Sequence, residues 1–477
     1  MIPAPADHYS PQLRTAVVLT GTGTGGAYHA GVLRAFHEAG VKIDVVAGRG
    51  VGVIGALFAA IDGAQRLWDE KGLWRAPAVT SFYRWHPVLI TCSLAVVLAV
   101  AVVALPIAAM AIALVVYPID FVLKMIGIGG APGLVGWYLQ LAQSAFAPEG
   151  FPTWLPRIVV LVLGGAALIA VIGAWRSAGV RRSRGAAWWR VVPAPLDAEP
   201  IIDHCWRVLW DLLRGAAHLK QPPPVDLVRR YTELLADNLG QPGFRELLLV
   251  VHDLDAHRDL VFALVPESRR RELVKRPTSG EADARRAEVF DLKGVARDYL
   301  ADAVGASLSL PVATDPRELT FAPDAYWRGE THRLCDRPGS LARVLDELAD
   351  LGVEQAIVVA ACDESPGPHA LAPGRLDLRS RVGDYLQSSE ASALRDAIRL
   401  ASPRIMRIFT VYPGHNPIGP FDFAGSYDDR SDRRHPLIEL MDRGYQDAYH
   451  QFVEPVVGAS GERVGGAKVG QTRRPRG

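Results

Sequence analysis

Three stretches of the chain carry residue types at spacings that could do chemistry. The first, VVAGRGVGVIGALFAA from Val45 to Ala60, leads from an apolar strand through a turn of alternating glycines into an apolar helix. That layout holds a serine nucleophile at the top of a sheet in G-x-S-x-G hydrolases. Here Gly48 and Gly52 supply the flanks, Arg49 lies inside the turn, and the nucleophile position is Gly50. The second stretch, GTGTGG from Gly21 to Gly26, also satisfies the dinucleotide fingerprint G-x-G-x-x-G between a strand and a helix. A dinucleotide site needs an acidic residue near the end of the next strand, and Asp44 falls early in IDVVAG. The third, VHDLDAH, gathers His252, Asp253, Asp255 and His257, which are metal-capable side chains. Around a turn such groups more often bind backbone or solvent, so no metal and no cofactor is expected. Thr22 and Thr24 have hydroxyls but no base placed beside them, and His29 and His37, eight apart on one helix, read as packing or surface residues.

The elements around these residues follow from periodicity. Residues 15–80 read as strand, glycine turn, helix, strand, glycine turn, helix, an α/β pattern with a parallel sheet. IIDHCWRVLWDLLRGAAHLK, Ile201 to Lys220, has apolar residues at helical spacing and reads as a core-packing amphipathic helix rather than a membrane-surface one. RELLLVVHDL and RDLVFALV form a strand pair, Glu267 to Arg286 a charged loop, and EQAIVVAA and RIMRIFTVYP later buried strands. The glycine-rich basic end, 459–477, reads as disordered.

Composition narrows the compartment more than the chemistry. Lys plus Arg (52) balances Asp plus Glu (51), so no global field points to nucleic acid. Four scattered cysteines without a CxxC pair fit reduced thiols. From Val88 to Tyr117, and again from Arg157 to Trp175, the chain is apolar enough to span a bilayer. Arg84 before the first run, and Arg176, Arg181, Arg182 and Arg184 after the second, outweigh Lys124 between them, which places both ends in the cytoplasm. Trp85, Trp154, Trp175, Trp188 and Trp189 near the span ends fit interfacial belts, and Leu134 to Phe146 fits an outer-interface segment. Strands of one sheet on both sides of the insertion require an even number of crossings, which two spans satisfy. The expected organisation is a cytoplasmic domain in two parts, 1–84 and 191–458, with a transmembrane hairpin inserted at 85–190, in the inner (plasma) membrane.

GTGTGGAYHAGVLRAFHEAG followed by VVAGRGVG resembles the patatin-like phospholipase family, and the likeness returns in LLLVVHDLDAHRDLVFAL, GASLSLP from Gly305, DRP from Asp336 to Pro338, and RGYQDA. The resemblance implies a three-layer α/β/α domain, here with the helical hairpin inserted, and lipid acyl hydrolysis by a Ser-Asp dyad. Carried over by position, Gly21, Gly23 and Gly26 match the oxyanion loop, with Thr22 where the family has glycine and Gly25 where it usually has a basic residue. Gly48 and Gly52 match the elbow flanks, and Gly50 takes the serine position. The family aspartate sits in a D-G-G or D-G-A turn after the GASLSLP segment. The nearest match is Arg328, Gly329, Glu330, so Arg328 or Glu330 is expected in the acid slot and the dyad is expected to be lost.

The leading expectation is therefore a membrane-anchored patatin-like protein of lipid metabolism, a pseudoenzyme that binds lipid or regulates at the membrane without hydrolysis. The alternatives are an active phospholipase with an unrecognised nucleophile, and a nucleotide-binding membrane protein. The expected partners are the membrane and a phospholipid or other acyl lipid, with no nucleic acid. Arg49 reads either as an exposed turn residue or as an anion-binding group before a helix N-terminus. In the second case Arg49 and Arg328 favour anionic headgroups.

Overall fold

In Thr15–Leu19 alternate side chains point to opposite sides, and both sides are apolar and buried, the pattern of a strand covered on both faces. The computed structural model, which describes residues 8–128, 133–178, 194–275, 284–362, 378–414, 416, 418–428 and 433–458, makes this strand, β1, an interior strand of a mixed nine-stranded sheet. The others are β2 (Val45–Gly48), β3 (Glu246–Asp253), β4 (Arg258–Leu264), β5 (Val289–Asp291), β6 (Arg317–Thr320), β7 (Thr331–Cys335), β8 (Gln355–Val359) and β9 (Arg407–Val411). Their order is β9-β8-β1-β2-β3-β4-β5, and β7 pairs with both β3 and β6. From β9 to β3 every pairing is parallel, whereas β4 and β7 run antiparallel to β3.

Helices cover both faces. Ala16 and Val18 belong to a core shared with Leu341, Val344, Leu345 and Leu348 of helix Ser340–Asp350 and with Ala397 and Ala401 of helix Leu378–Ala401. On the other side lie α1 (Gly25–Glu38) and α2 (Gly52–Ala60), which begin where the two glycine turns end. This is the expected three-layer α/β/α arrangement. The two glycine turns leave the C-terminal ends of adjacent parallel strands, β1 and β2. Ligand crevices of open α/β sheets form at that edge.

Two local expectations change. The amphipathic helix spans Glu199–Arg214 and stops before Gly215, and its buried Ile201, Cys205, Trp206 and Leu209 make it a core helix. The charged segment from Glu267 is not simply a loop: it contains helices Glu267–Lys275 and Ala284–Glu288. Arg285 is buried there in a bidentate pair with Glu347, at 2.5 and 2.6 Å, which ties that helix into the fold.

The chain divides into two compact units, one formed by 1–84 with 197–477 and the other by 85–196. The second unit contains helix Pro87–Met125, 39 residues with Pro106 and Pro118 inside it, packed against Gly133–Ala145 and Phe151–Ala178. The first helix runs past Tyr117, where the apolar run was expected to end, and carries Asp120, paired with Lys124 at 2.6 Å, in its last turns. Apolar stretches in two of the helices have mean hydropathies of 3.0 and 1.7. Most of their large side chains, Val97, Leu114 and Leu161 among them, are exposed. Arg181, Arg182, Arg184, Trp188, Trp189 and the tail 459–477 lie outside the described residues.

Candidate functional site

The two turns are stitched together by backbone hydrogen bonds: Arg49 N donates to Leu19 O at 3.1 Å and Val51 N to Gly21 O at 2.9 Å. Gly50 sits between them at φ +56°, a left-handed conformation that L side chains rarely adopt. A Cβ added at Gly50 would lie 2.2 Å from the Gly21 carbonyl oxygen and 2.9 Å from Asp336 Oδ2. The nucleophile position is thus closed by backbone on one side and faced by a carboxylate on the other.

That carboxylate corrects the expected acid slot. Arg328 and Glu330 are both exposed, Arg328 on a turn at φ +44° and Glu330 beside His332 at 3.3 Å. Asp336, which directly follows β7, is the group opposite Gly50, and it is fully buried. The DRP motif belongs to the family likeness, but its aspartate is followed by Arg337 rather than by the glycine of the family turn, so spacing alone does not give it this role. A carboxylate just after a strand that pairs with β3 was the available signal.

Arg49 is neither exposed nor an anion receptor. It is completely buried, and its five N–H groups make five hydrogen bonds to this protein. Nε and one terminal nitrogen donate to the Asp336 carboxylate at 3.0 and 2.6 Å. Glu390, from helix Leu378–Ala401, receives two more at 2.5 and 2.6 Å, and Thr20 Oγ1 receives one at 2.7 Å. Burial works against a charged guanidinium, but Asp336 and Glu390 outweigh it and hold the Arg49 pKa above its ordinary value. Glu390 escaped sequence reasoning because nothing local marks one glutamate of a charged helix as reaching the elbow.

The glycine loop is covered as well. Gly23, at φ +55°, leaves no room for a side chain, since a Cβ there would stand 1.8 Å from Pro420 O. Thr24 donates from its backbone N–H to Pro420 O and from Oγ1 to Gly419 O, both at 2.9 Å. Thr24 is therefore a backbone-bonding threonine, not a nucleophile. At Gly21 a Cβ would meet Ala361, and at Gly26 it would meet Trp74. The N–H groups of Thr22 and Gly23 make no hydrogen bond among the described residues. Beside them is a small cleft with room for about one water, lined by Gly21, Thr22, Thr24, Gln387, Glu390 and Pro420 among others.

The remaining motifs resolve into structure. His29 is buried on α1 with Nε2 3.0 Å from Thr20 O, so Nε2 carries the proton, and His37 is exposed. Burial lowers the His29 pKa to about 4, the bond to Thr20 opposing and the Arg49 charge reinforcing that shift. Asp44 accepts from Thr15 N at 2.8 Å and pairs with Lys42 at 3.3 Å, which leaves it engaged within the sheet edge rather than placed for a ribose. In VHDLDAH, His252 pairs with Asp259, Asp253 with His332, and Asp255 with Arg333. No cluster of three metal-capable side chains occurs among the described residues.

A search of the curated proteins returned no match. Among solved structures, VipD from Legionella pneumophila aligns at 12% identity and a TM-score of 0.30, over 95% of this chain and 69% of that one. The family model described as patatin-like phospholipase matches residues 17–336, more than half of the 477 residues and a span from β1 to Asp336. The chain belongs to the patatin-like phospholipase family.

Proposed function

We propose that this protein is a membrane-anchored member of the family that engages acyl lipid without hydrolysing it. One observation carries the reading: at the position of the attacking serine stands Gly50, boxed in by the Gly21 carbonyl, while the facing Asp336 is held by Arg49. A general base that accepts two hydrogen bonds from a guanidinium is poorly placed to take a proton from a nucleophile. The anchor rests on the two long apolar helices of residues 85–196, whose exposed side chains suit lipid better than water. Both chain ends then lie in the cytoplasm, in the inner membrane. Since every N–H of Arg49 is engaged, any preference for anionic headgroups arises elsewhere, in the basic residues flanking the spans.

Purified full-length protein in nanodiscs should remain unlabelled by a fluorophosphonate and should release no fatty acid from phospholipid. Labelling that maps to a serine or threonine would establish the hydrolase alternative, which the retained Asp336 favours. Single cysteines at Thr80 and Met125 test the anchor: a membrane-impermeant reagent on intact cells should reach the second and not the first. Equal labelling of the two would rule out the hairpin.

A further inference from the structure

The charges at the elbow do not balance. Arg49, Asp336 and Glu390 are buried together, and one guanidinium faces two carboxylates. A net negative charge confined in a low-dielectric interior is strongly unfavourable, and a buried site relieves it by taking up a cation or a proton. Among the described residues, the groups packed around the cluster supply no second positive charge. His29, across Thr20 on α1, is neutral at physiological pH because burial lowers it to about 4. Tyr83 is buried with its pKa raised, and Cys335 is pushed up to about 12, so both are neutral too. The Arg337 side chain is spent on Asp259 at 3.0 Å, and Gln387, lining the cleft beside Glu390, is uncharged.

We propose that the Arg49–Asp336–Glu390 cluster is a one-proton site, occupied when the elbow is closed, and that loss of this proton releases helix Leu378–Ala401 from the two glycine turns. The inference deepens the reading of a closed, non-hydrolytic elbow and rests on it. Its structural basis is that the cluster joins three elements distant in the chain: the elbow through Arg49, the end of β7 through Asp336, and the helix through Glu390. A second ionised carboxylate would turn a neutral latch into a repulsive one. Consistent with this, burial and the neighbouring Glu390 raise the Asp336 pKa against the opposing pull of Arg49. Because folding raises that pKa, the folded state binds the proton more tightly than the unfolded chain does. The stabilisation is complete below the ordinary aspartate range and is lost as pH rises through the raised value.

The test compares wild type with Glu390→Gln and Asp336→Asn, each of which removes one carboxylate and so needs no proton. Isotope-edited infrared spectra of the full-length protein in nanodiscs should show a protonated-carboxyl band that disappears in both variants. Relative to either variant, the unfolding equilibrium of wild type should shift toward the unfolded state by up to tenfold per pH unit as pH rises through the Asp336 pKa. Parallel pH profiles, or a band that survives both substitutions, would overturn the proposal. Failure of both variants to fold would overturn it as well, because a one-proton site makes each as well balanced as the protonated wild type. Hydrolysis assays are read separately: activity in wild type would sink the functional reading while leaving the proton count to be judged by these spectra.

Discussion

Asp336 and Arg337 are neighbours in the chain but serve two different charge clusters. Asp336 turns inward to Arg49 and Glu390, all fully or nearly fully buried, while Arg337 turns outward to Asp259, where His252 and Ser340 also converge. A second outer pair joins Asp255 to Arg333, and the arginines of these groups are about half exposed, Arg333 at 56% and Arg337 at 47%. Asp259 and His252 are largely buried, but water reaches Arg333, Asp255 and Arg337, so the Asp255–Arg333 pair is worth little. At the elbow the groups are almost completely buried, and removing Arg49 strands two buried carboxylates. The same residue types thus form a partly solvated cluster in one place and a fully buried one at the elbow in the other.

The largest effect that can break this contrast is Arg49→Leu. It should destabilise the domain by about 3–5 kcal/mol, as loss of one partner from a buried ion pair does, read by denaturant unfolding. Unchanged stability would mean that the inner cluster is no more consequential than the outer. Next comes acid. His29 has a folded pKa below its unfolded value, so its neutral form stabilises the fold above about pH 6.5, and that contribution is lost as pH falls toward about 4. The shift corresponds to roughly 3 kcal/mol. A His29→Leu variant should lose less stability than wild type between pH 7 and 4.5; equal losses would show that His29 is not buried against Thr20.

A third effect concerns the turn itself. Gly50→Ala combines a positive φ with a backbone oxygen 2.2 Å from the new Cβ, and should cost about 1–3 kcal/mol. Gly50→Ser should show no hydrolysis while Arg49 is present, and a hydrolytic Gly50→Ser protein would prove that Asp336 is free enough to act as a base. The smallest effect sharpens the other side of the comparison. Asp255→Asn, which weakens its bonds to exposed Arg333, should change stability by less than about 1 kcal/mol, and a larger loss would make the outer cluster structural after all.

What could be read in sequence was local. β1, the glycine loop, α1, β2, the elbow and α2 were legible because a run of apolar residues, a glycine where backbone must turn, and a change of period mark each element within a few residues. Those signals carried the fold, the Gly50 position and the membership of the family. The partners of the elbow were decided by tertiary structure alone. Asp336 lies 287 residues from Arg49 in the chain and Glu390 lies 341 away, and neither is set apart from other carboxylates by its neighbours. Whether an arginine in a turn meets water or two carboxylates depends on which strands and helices close over it, and sequence spacing does not encode that. For the same reason the carboxylate that faces Gly50 is Asp336 and not a group at Arg328 or Glu330: β7 pairs with the end of β3 and, by doing so, brings the next residue to face Gly50.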